Sequence, residues 1–394
     1  MAFSSFSSFS SIQNYSLQPK QIIVAPPIIY PDVKLFAQSM SGYFQNPIGK
    51  WYVWGQNNFG QLGTNDTTLV STPTYNSNLD GFIRITSTNG SSFGLNSSNQ
   101  WYVWGYNGSA GTLGMNTTTA IYLVPRLNTR LTGFTNIIIT TGSNCFGLDS
   151  SNQWEVWGFN NHGQLGMGTN TSPVLVPTRN FNLTGFTQII TCQYSAFGLD
   201  SSNNWEVWGY NSLSELGMNN TNPYLVPTIN TLLNGFTKII TDTKYSVFGL
   251  DSNGQWNVWG QNTSGQLGMG NTTNLLTPNH NPRLNGFTQI ISGGSGCFGL
   301  DSSGNWEVWG FNFNGNLGNG TNGTNTNVST PTVNSNLNGF TKIILGANMA
   351  FGLDSSGNWE VWGNNDYAQL GMNNTTNLSV PTYNSYLSNI SNLV

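Results

Sequence analysis

Residues 255–268 read Gln-Trp-Asn-Val-Trp-Gly-Gln-Asn-Thr-Ser-Gly-Gln-Leu-Gly, and the five-residue word inside them, Trp256-Asn257-Val258-Trp259-Gly260, decides the fold. The pattern Trp-x-Val-Trp-Gly occurs seven times and contains all 14 tryptophans of the 394-residue chain. Its second Trp falls at Trp54, Trp104, Trp157, Trp208, Trp259, Trp309 and Trp362, so the period is 50 to 53 residues. Other residues keep register with it. Leu-Gly follows at Leu62, Leu113, Leu165, Leu216, Leu267, Leu317 and Leu370, and a Pro follows each Leu-Gly. Phe-Gly-Leu precedes copies two to seven, starting at Phe93, Phe146, Phe197, Phe248, Phe298 and Phe351, and a Gly-Phe pair stands further upstream.

Within copy five the chain reads as strand, turn, strand, turn, strand. Lys238-Ile239-Ile240 and Ser246 to Leu250 are short β runs, and Asn253-Gly254 supplies a hairpin turn. Gln255 to Trp259 is a third strand, and the run from Leu275 to Pro278 is a fourth, with its Pro suited to a sheet edge. No stretch keeps a 3.6-residue amphipathic period with caps. Four strands in about 50 residues, seven times over, predict an all-β protein: a seven-bladed β-propeller with blades of about four antiparallel strands. The expected organisation is a low-complexity Phe/Ser segment over residues 1–20 and one propeller domain over residues 21–394.

The segment Ile239 to Leu267 resembles the RCC1 repeat, named for the regulator of chromosome condensation. Asn57 to Gly63, Asn160 to Gly166 and Asn262 to Gly268 match the family tail W-G-x-N-x-x-G-Q-L-G almost fully. The resemblance covers roughly residues 33 to 394 and implies a propeller closed by pairing of the two chain ends in one blade. Residues Asn389 to Val394 and the stretch around Val33-Lys34-Leu35 both align with the strand that would close it. This sequence departs from the family where a His usually precedes the apolar strand: Ser91, Asn144, Ser195, Ser246, Gly296 and Met349 stand there. The first copy is also altered, with Tyr43-Phe44 in place of Phe-Gly.

Composition narrows the function. Eleven Lys+Arg cannot build the basic stripe a phosphate backbone requires, so no nucleic-acid partner is expected. No apolar run is long enough for a spanning helix, and the N-terminus lacks the pattern of a secretory signal. Three Cys do not suggest a disulfide framework, which favours a reducing intracellular compartment or a virus particle over secretion. Richness in Asn, Ile, Thr and Ser suits an AT-rich genome, such as that of a giant virus.

Of the 15 acidic residues, nine belong to the repeat. Asp149, Asp200, Asp251, Asp301 and Asp354 recur in the hairpin, where Asp binds nearby amides. Glu155, Glu206, Glu307 and Glu360 recur inside the Trp word and are expected to reach a blade edge or to accept from a neighbouring strand's amides. Asp32, Asp66, Asp80, Glu215, Asp242 and Asp366 are singular. His162 and His280 lie in different repeats without Cys or Asp at ligand spacing, so no zinc or Ser-His-Asp constellation is expected. Cys145 and Cys297 share one repeat position with Ala196, Val247 and Ala350 and read as small buried residues.

These residues predict a non-enzymatic protein-interaction or structural scaffold without catalytic residues, cofactor or metal. Its partner is an unknown protein. The candidate interaction face lies at the variable residue between Trp-Gly and Asn, where Tyr106, Phe159, Tyr210 and Phe311 are aromatic. The alternative reading of these four side chains is that they cover the next blade's edge. A glycan-binding propeller is the alternative function that aromatics among Asn and Thr suggest. The family resemblance adds a third, nucleotide exchange on a Ran-type GTPase, although the even repeat spacing leaves no large insertion to serve as a wedge.

Overall fold

The computed structural model describes residues 40–388, apart from 89, 243 and 295. Everything described lies in the unit Val33–Val394. The expected segment over 1–20, its boundary at 20/21 and the two candidate closing strands all lie outside the described residues.

Seven antiparallel sheets follow one another along the chain, spanning residues 41–75, 82–127, 134–179, 186–229, 236–280, 287–333 and 340–383; they are blades 1 to 7. Blades 2 to 7 have four strands in sequence order, and blade 1 has three among the described residues. In blade 5 the strands are Phe236–Thr241, Ser246–Asp251, Trp256–Gly260 and Leu275–His280, in the places the sequence predicts. First strands of successive blades come alongside one another, which puts them innermost in the ring, while fourth strands form the rim. Each rim strand carries the repeat Pro, which withholds an N–H from an open edge and blunts it against pairing with another chain.

Two tryptophans three residues apart on a strand must point to opposite faces, because side chains alternate with period two. Both can be buried only if both faces are covered, and in a propeller each blade is flanked by two others. The second Trp of every word is fully buried and faces the preceding blade. Trp104 Nε1 donates to Gln61 O at 2.7 Å, Trp208 to Gln164 O at 3.0 Å and Trp259 to Glu215 O at 2.9 Å. The first Trp faces the following blade: Trp101 Nε1 donates to Phe134 O at 2.8 Å and Trp256 to Phe287 O at 3.2 Å. Each junction is therefore clasped from both sides.

Phe-Gly-Leu and Gly-Phe belong to the same packing. Phe236 lies over Gly249, where a Cβ would meet its ring at 2.4 Å, and packs edge-on against Trp259 at 5.8 Å. Only glycine leaves that slot open. Two asparagines per repeat are equally fixed. Asn262, fully buried, accepts from Leu267 N at 2.9 Å and donates to Asn271 O at 3.0 Å, pinning the loop. Asn281 caps a 3-10 turn through Arg283 N and donates to Leu267 O at 2.9 Å.

Ring closure is visible without the terminal strand. Trp54 Nε1 in blade 1 donates to Gln369 O in blade 7 at 2.9 Å, its ring meets Phe351 edge-on at 6.3 Å, and Asn373 N donates to Ser71 O at 2.9 Å. In the altered first copy Tyr43 takes the place of the repeat Phe and is fully buried. Its hydroxyl bonds Ser92 Oγ at 3.0 Å and Gln61 O, and burial pushes its pKa up to about 12.

Candidate interaction face

Strand order puts two kinds of connection at opposite ends of the ring. One end carries the hairpins between second and third strands and the 3-10 turns. The other carries the loops between first and second strands and the long loops after each Trp-Gly. The variable residue after Trp-Gly stands at this loop end, and its backbone N–H is tied to the neighbouring short loop: Tyr210 N donates to Tyr194 O at 2.9 Å, Phe159 N to Ser143 O at 3.0 Å and Gln261 N to Tyr245 O at 3.0 Å.

That tether sets aromatic side chains of different blades beside one another. Phe159 lies 5.7 Å from Tyr194, His162 lies 5.2 Å from Tyr194 and 4.8 Å from Tyr210, and Tyr210 lies 5.6 Å from Tyr245, all between ring centroids. These half-buried rings form a belt over blades 3, 4 and 5. Phe311 stacks on Phe313 at 6.3 Å in blade 6, with Lys244 Nζ of blade 5 at 5.7 Å from its centroid. Tyr106 stands apart, stacked on Phe59 at 4.8 Å. The structure thus brings Phe159 and Tyr210 together, places Phe311 beside the far side of blade 5, and leaves Tyr106 in a separate pair. Around them the exposed charged residues of the loops are Asp66, Lys244 and Asp366 among the described residues.

Beneath the belt lie two buried carboxyls. Glu215 occupies the position before Leu-Gly, held in other copies by Gln61, Gln164, Gln266 and Gln369, by Asn316 and by Thr112. Its Oε2 accepts from Leu213 N at 3.0 Å, as Gln164 Oε1 accepts from His162 N at 2.9 Å. Its Oε1 lies 3.2 Å from Ser195 Oγ, which donates to Tyr210 O at 2.6 Å. Burial raises its pKa to about 7. Asp242 Oδ1 accepts from Lys244 N at 2.7 Å and Ser246 N at 3.1 Å, whereas Oδ2 has no partner among the described residues; burial raises this group to about 6.

The repeat acids behave differently from one another. Asp301 Oδ1 accepts from Ser303 N and Asn305 N, both at 2.8 Å, and these bonds hold its pKa down; Asp149, Asp200, Asp251 and Asp354 accept the corresponding pair of amides in their own hairpins. Glu155, Glu206, Glu307 and Glu360 are half-buried and accept no amide bond among the described residues, contrary to one of the two expectations for them. Desolvation, then the neighbouring hairpin Asp, raises their pKa values. Cys145, Cys192 and Cys297 are free and buried. Among the described residues no group of three or more His, Cys, Asp or Glu could hold a metal ion, and no helix is long and apolar enough to cross a membrane.

The regulator of chromosome condensation (RCC1) repeat family model matches residues 49–95 and 156–196. Each match runs from the third strand of one blade to the second strand of the next, so the sequence repeat straddles two blades. A human probable E3 ubiquitin-protein ligase, HERC3, is 32% identical over 99 residues, which cover 24% of this chain and only 9% of that protein. Among solved structures, Prp20p from Saccharomyces cerevisiae superposes with a TM-score of 0.70 at 16% identity, covering 85% of each chain. Yeast RCC1 (Prp20) bound to Kap60 gives 0.72 at 17% identity over 97% of this chain and 91% of that one, and human WBSCR16 gives 0.68 at 18% over 85% and 94%. Residues 49–95 and 156–196 thus match RCC1 repeats, and the seven-bladed propeller as a whole is similar in fold to those of RCC1-like proteins.

Proposed function

We propose that the chain is a non-enzymatic protein-interaction scaffold, and that the belt of Phe159, Tyr194, Tyr210 and Tyr245, continued by Phe311 and Phe313, is its docking face. The observation that carries this reading is the convergence of rings from separate blades at an end with little charge, since rigid aromatic anchors dominate protein interfaces. The buried carboxyls are enclosed and occupy repeat positions of structural amides and turns, which favours a structural role over acid–base chemistry. Three free buried thiols suit a reducing compartment.

Prp20p is described with its binding to Gsp1p and histones, and yeast RCC1 (Prp20) in complex with Kap60. At such low identity the likeness supports the fold alone, so exchange on a Ran-type GTPase is a weaker reading than docking. The test is site-specific photocrosslinking from positions 194 and 313, with position 303 at the hairpin end as control. Adducts to one and the same protein from the first two, abolished by the triple variant Phe159→Ala, Tyr210→Ala and Phe311→Ala, are expected. Adducts from position 303 alone, or a partner retained by the triple variant, would overturn the reading.

A further inference from the structure

At the junction of blades 3 and 4 the loop end opens into a cleft of about 150 Å³. It brings His162 and Tyr210, whose rings lie 4.8 Å apart, together with the side chains of Asn161, Asn170, Ser212 and Thr221. This volume falls below the roughly 300–1,000 Å³ of sites that bury drug-sized ligands, so the cleft has room for one ring and not for a chain.

Four polar side chains converge on this cleft beside the Tyr210 ring. Several loop amides nearby are tied to the fold: Asn57 binds Thr64 and Asp66, Asn220 binds Met218 O, and Asn364 binds Asp366. Asn161, Asn170, Ser212 and Thr221 make no side-chain hydrogen bond among the described residues. Two primary amides and two hydroxyls supply donors and acceptors in nearly equal number. No carboxylate, Lys or Arg lines the cleft, and partial burial lowers the pKa of His162, which keeps it neutral at pH 7.

A charged ligand would meet no counter-charge here, and a wholly apolar ring would desolvate four polar groups without replacing their water. A molecule with one apolar face and a rim of hydroxyls satisfies both walls. We propose that this cleft binds one ring of a neutral sugar, with its C–H face against Tyr210 and its hydroxyls on Asn161, Asn170, Ser212 and Thr221. The cleft shares Tyr210 with the docking belt, whereas Phe311 and Phe313 belong to blade 6 and take no part in it, so a blade 6 variant separates the two readings.

Saturation-transfer NMR on the full chain tests this, with the methyl glycosides of glucose, galactose, mannose and N-acetylglucosamine as probes and glucuronic acid as the charged control. At least one neutral probe is expected to receive saturation, and glucuronic acid none. Tyr210→Ala should weaken the bound probe about tenfold and Asn170→Ala about fivefold, both at solvent-facing sites whose loss leaves the near-ultraviolet dichroism of the core unchanged. Phe311→Ala should leave sugar binding intact while removing protein crosslinks, so the two readings fail separately. Silence from all four probes, equal binding of glucuronic acid, or affinity unchanged in both cleft variants would overturn the proposal.

Discussion

Gln164, at the junction of blades 3 and 4, and Glu215, at the junction of blades 4 and 5, fill one repeat position with nearly isosteric side chains. Both accept an amide bond from two residues back, and both offer their backbone carbonyl to the next blade's Trp. They differ in the second polar atom. In two sibling copies that atom is a donor aimed at the residue after Trp-Gly: Asn316 Nδ2 donates to Phe311 O at 2.5 Å, and Gln369 Nε2 donates to Asn364 Oδ1. A carboxylate cannot donate, whereas a protonated carboxyl can. Gln164 Nε2 has no such partner among the described residues, and Glu215 Oε1 faces the Ser195 hydroxyl at 3.2 Å, so the two junctions share the acceptor and the carbonyl and differ in this second atom.

The clasp common to both junctions gives the largest effect. Trp208→Ala and Trp259→Ala should each cost about 3–5 kcal/mol, since each empties a buried site and strands a carbonyl. Denaturant unfolding checks this, and a loss below about 1 kcal/mol at either junction would show that the indole bond and its packing are dispensable there.

Glu215→Gln should separate the junctions. The ordinary carboxyl value is 4.5 and the folded one about 7, so below pH 4.5 both states are protonated and the exchange has little effect. As pH rises from 4.5 to 7 the unfolded chain ionises while the folded chain keeps its proton. Native stability therefore falls across that window and is lower by a constant amount above it. The variant should gain on the order of 2–3 kcal/mol at pH 8 relative to pH 4, measured by thermal unfolding against pH. Gln164→Glu should bring the same pH-dependent loss to the neighbouring junction. A flat difference between wild type and Glu215→Gln would mean that the carboxyl is already ionised in the native state.

The smallest effects concern positions remote from both junction cores. Asp301→Ala should lower the urea midpoint slightly, because it removes the acceptor of two exposed hairpin amides. Glu155→Gln should stay within about 0.5 kcal/mol, since its side chain is half exposed and binds no amide. Equal effects at the two positions, read from urea midpoints, would contradict their different hydrogen bonding.

The spacing of the tryptophans made the blades legible, since two indoles three apart on a strand admit few arrangements other than burial from both sides. Pro73 and its six repeats could likewise be assigned to an edge from the missing N–H alone. The candidate interaction face was only half legible. Phe159 and Tyr210 stand out as variation after a constant Trp-Gly, but Tyr194 and Tyr245 belong to a different repeat position, the residue before Ser195 and Ser246. They join the belt because the main-chain bond from Tyr210 N to Tyr194 O brings two distant stretches together. A comparison of copies at that position, where Gly90 and Ser143 also stand, carried the signal. Glu215 was visible as an unmatched acid, yet its proton depends on burial, which becomes evident only once the blades are assembled.

Burial of all fourteen indoles in the junctions, with none at the loop end, also makes the protein its own optical gauge. Docking at the belt or a ligand in the cleft touches Tyr, Phe and His, so it should leave the tryptophan emission spectrum in place. A red shift would report that neighbouring blades have parted and admitted water. Occupancy and ring opening can thus be followed in one sample through two kinds of chromophore, with no label attached.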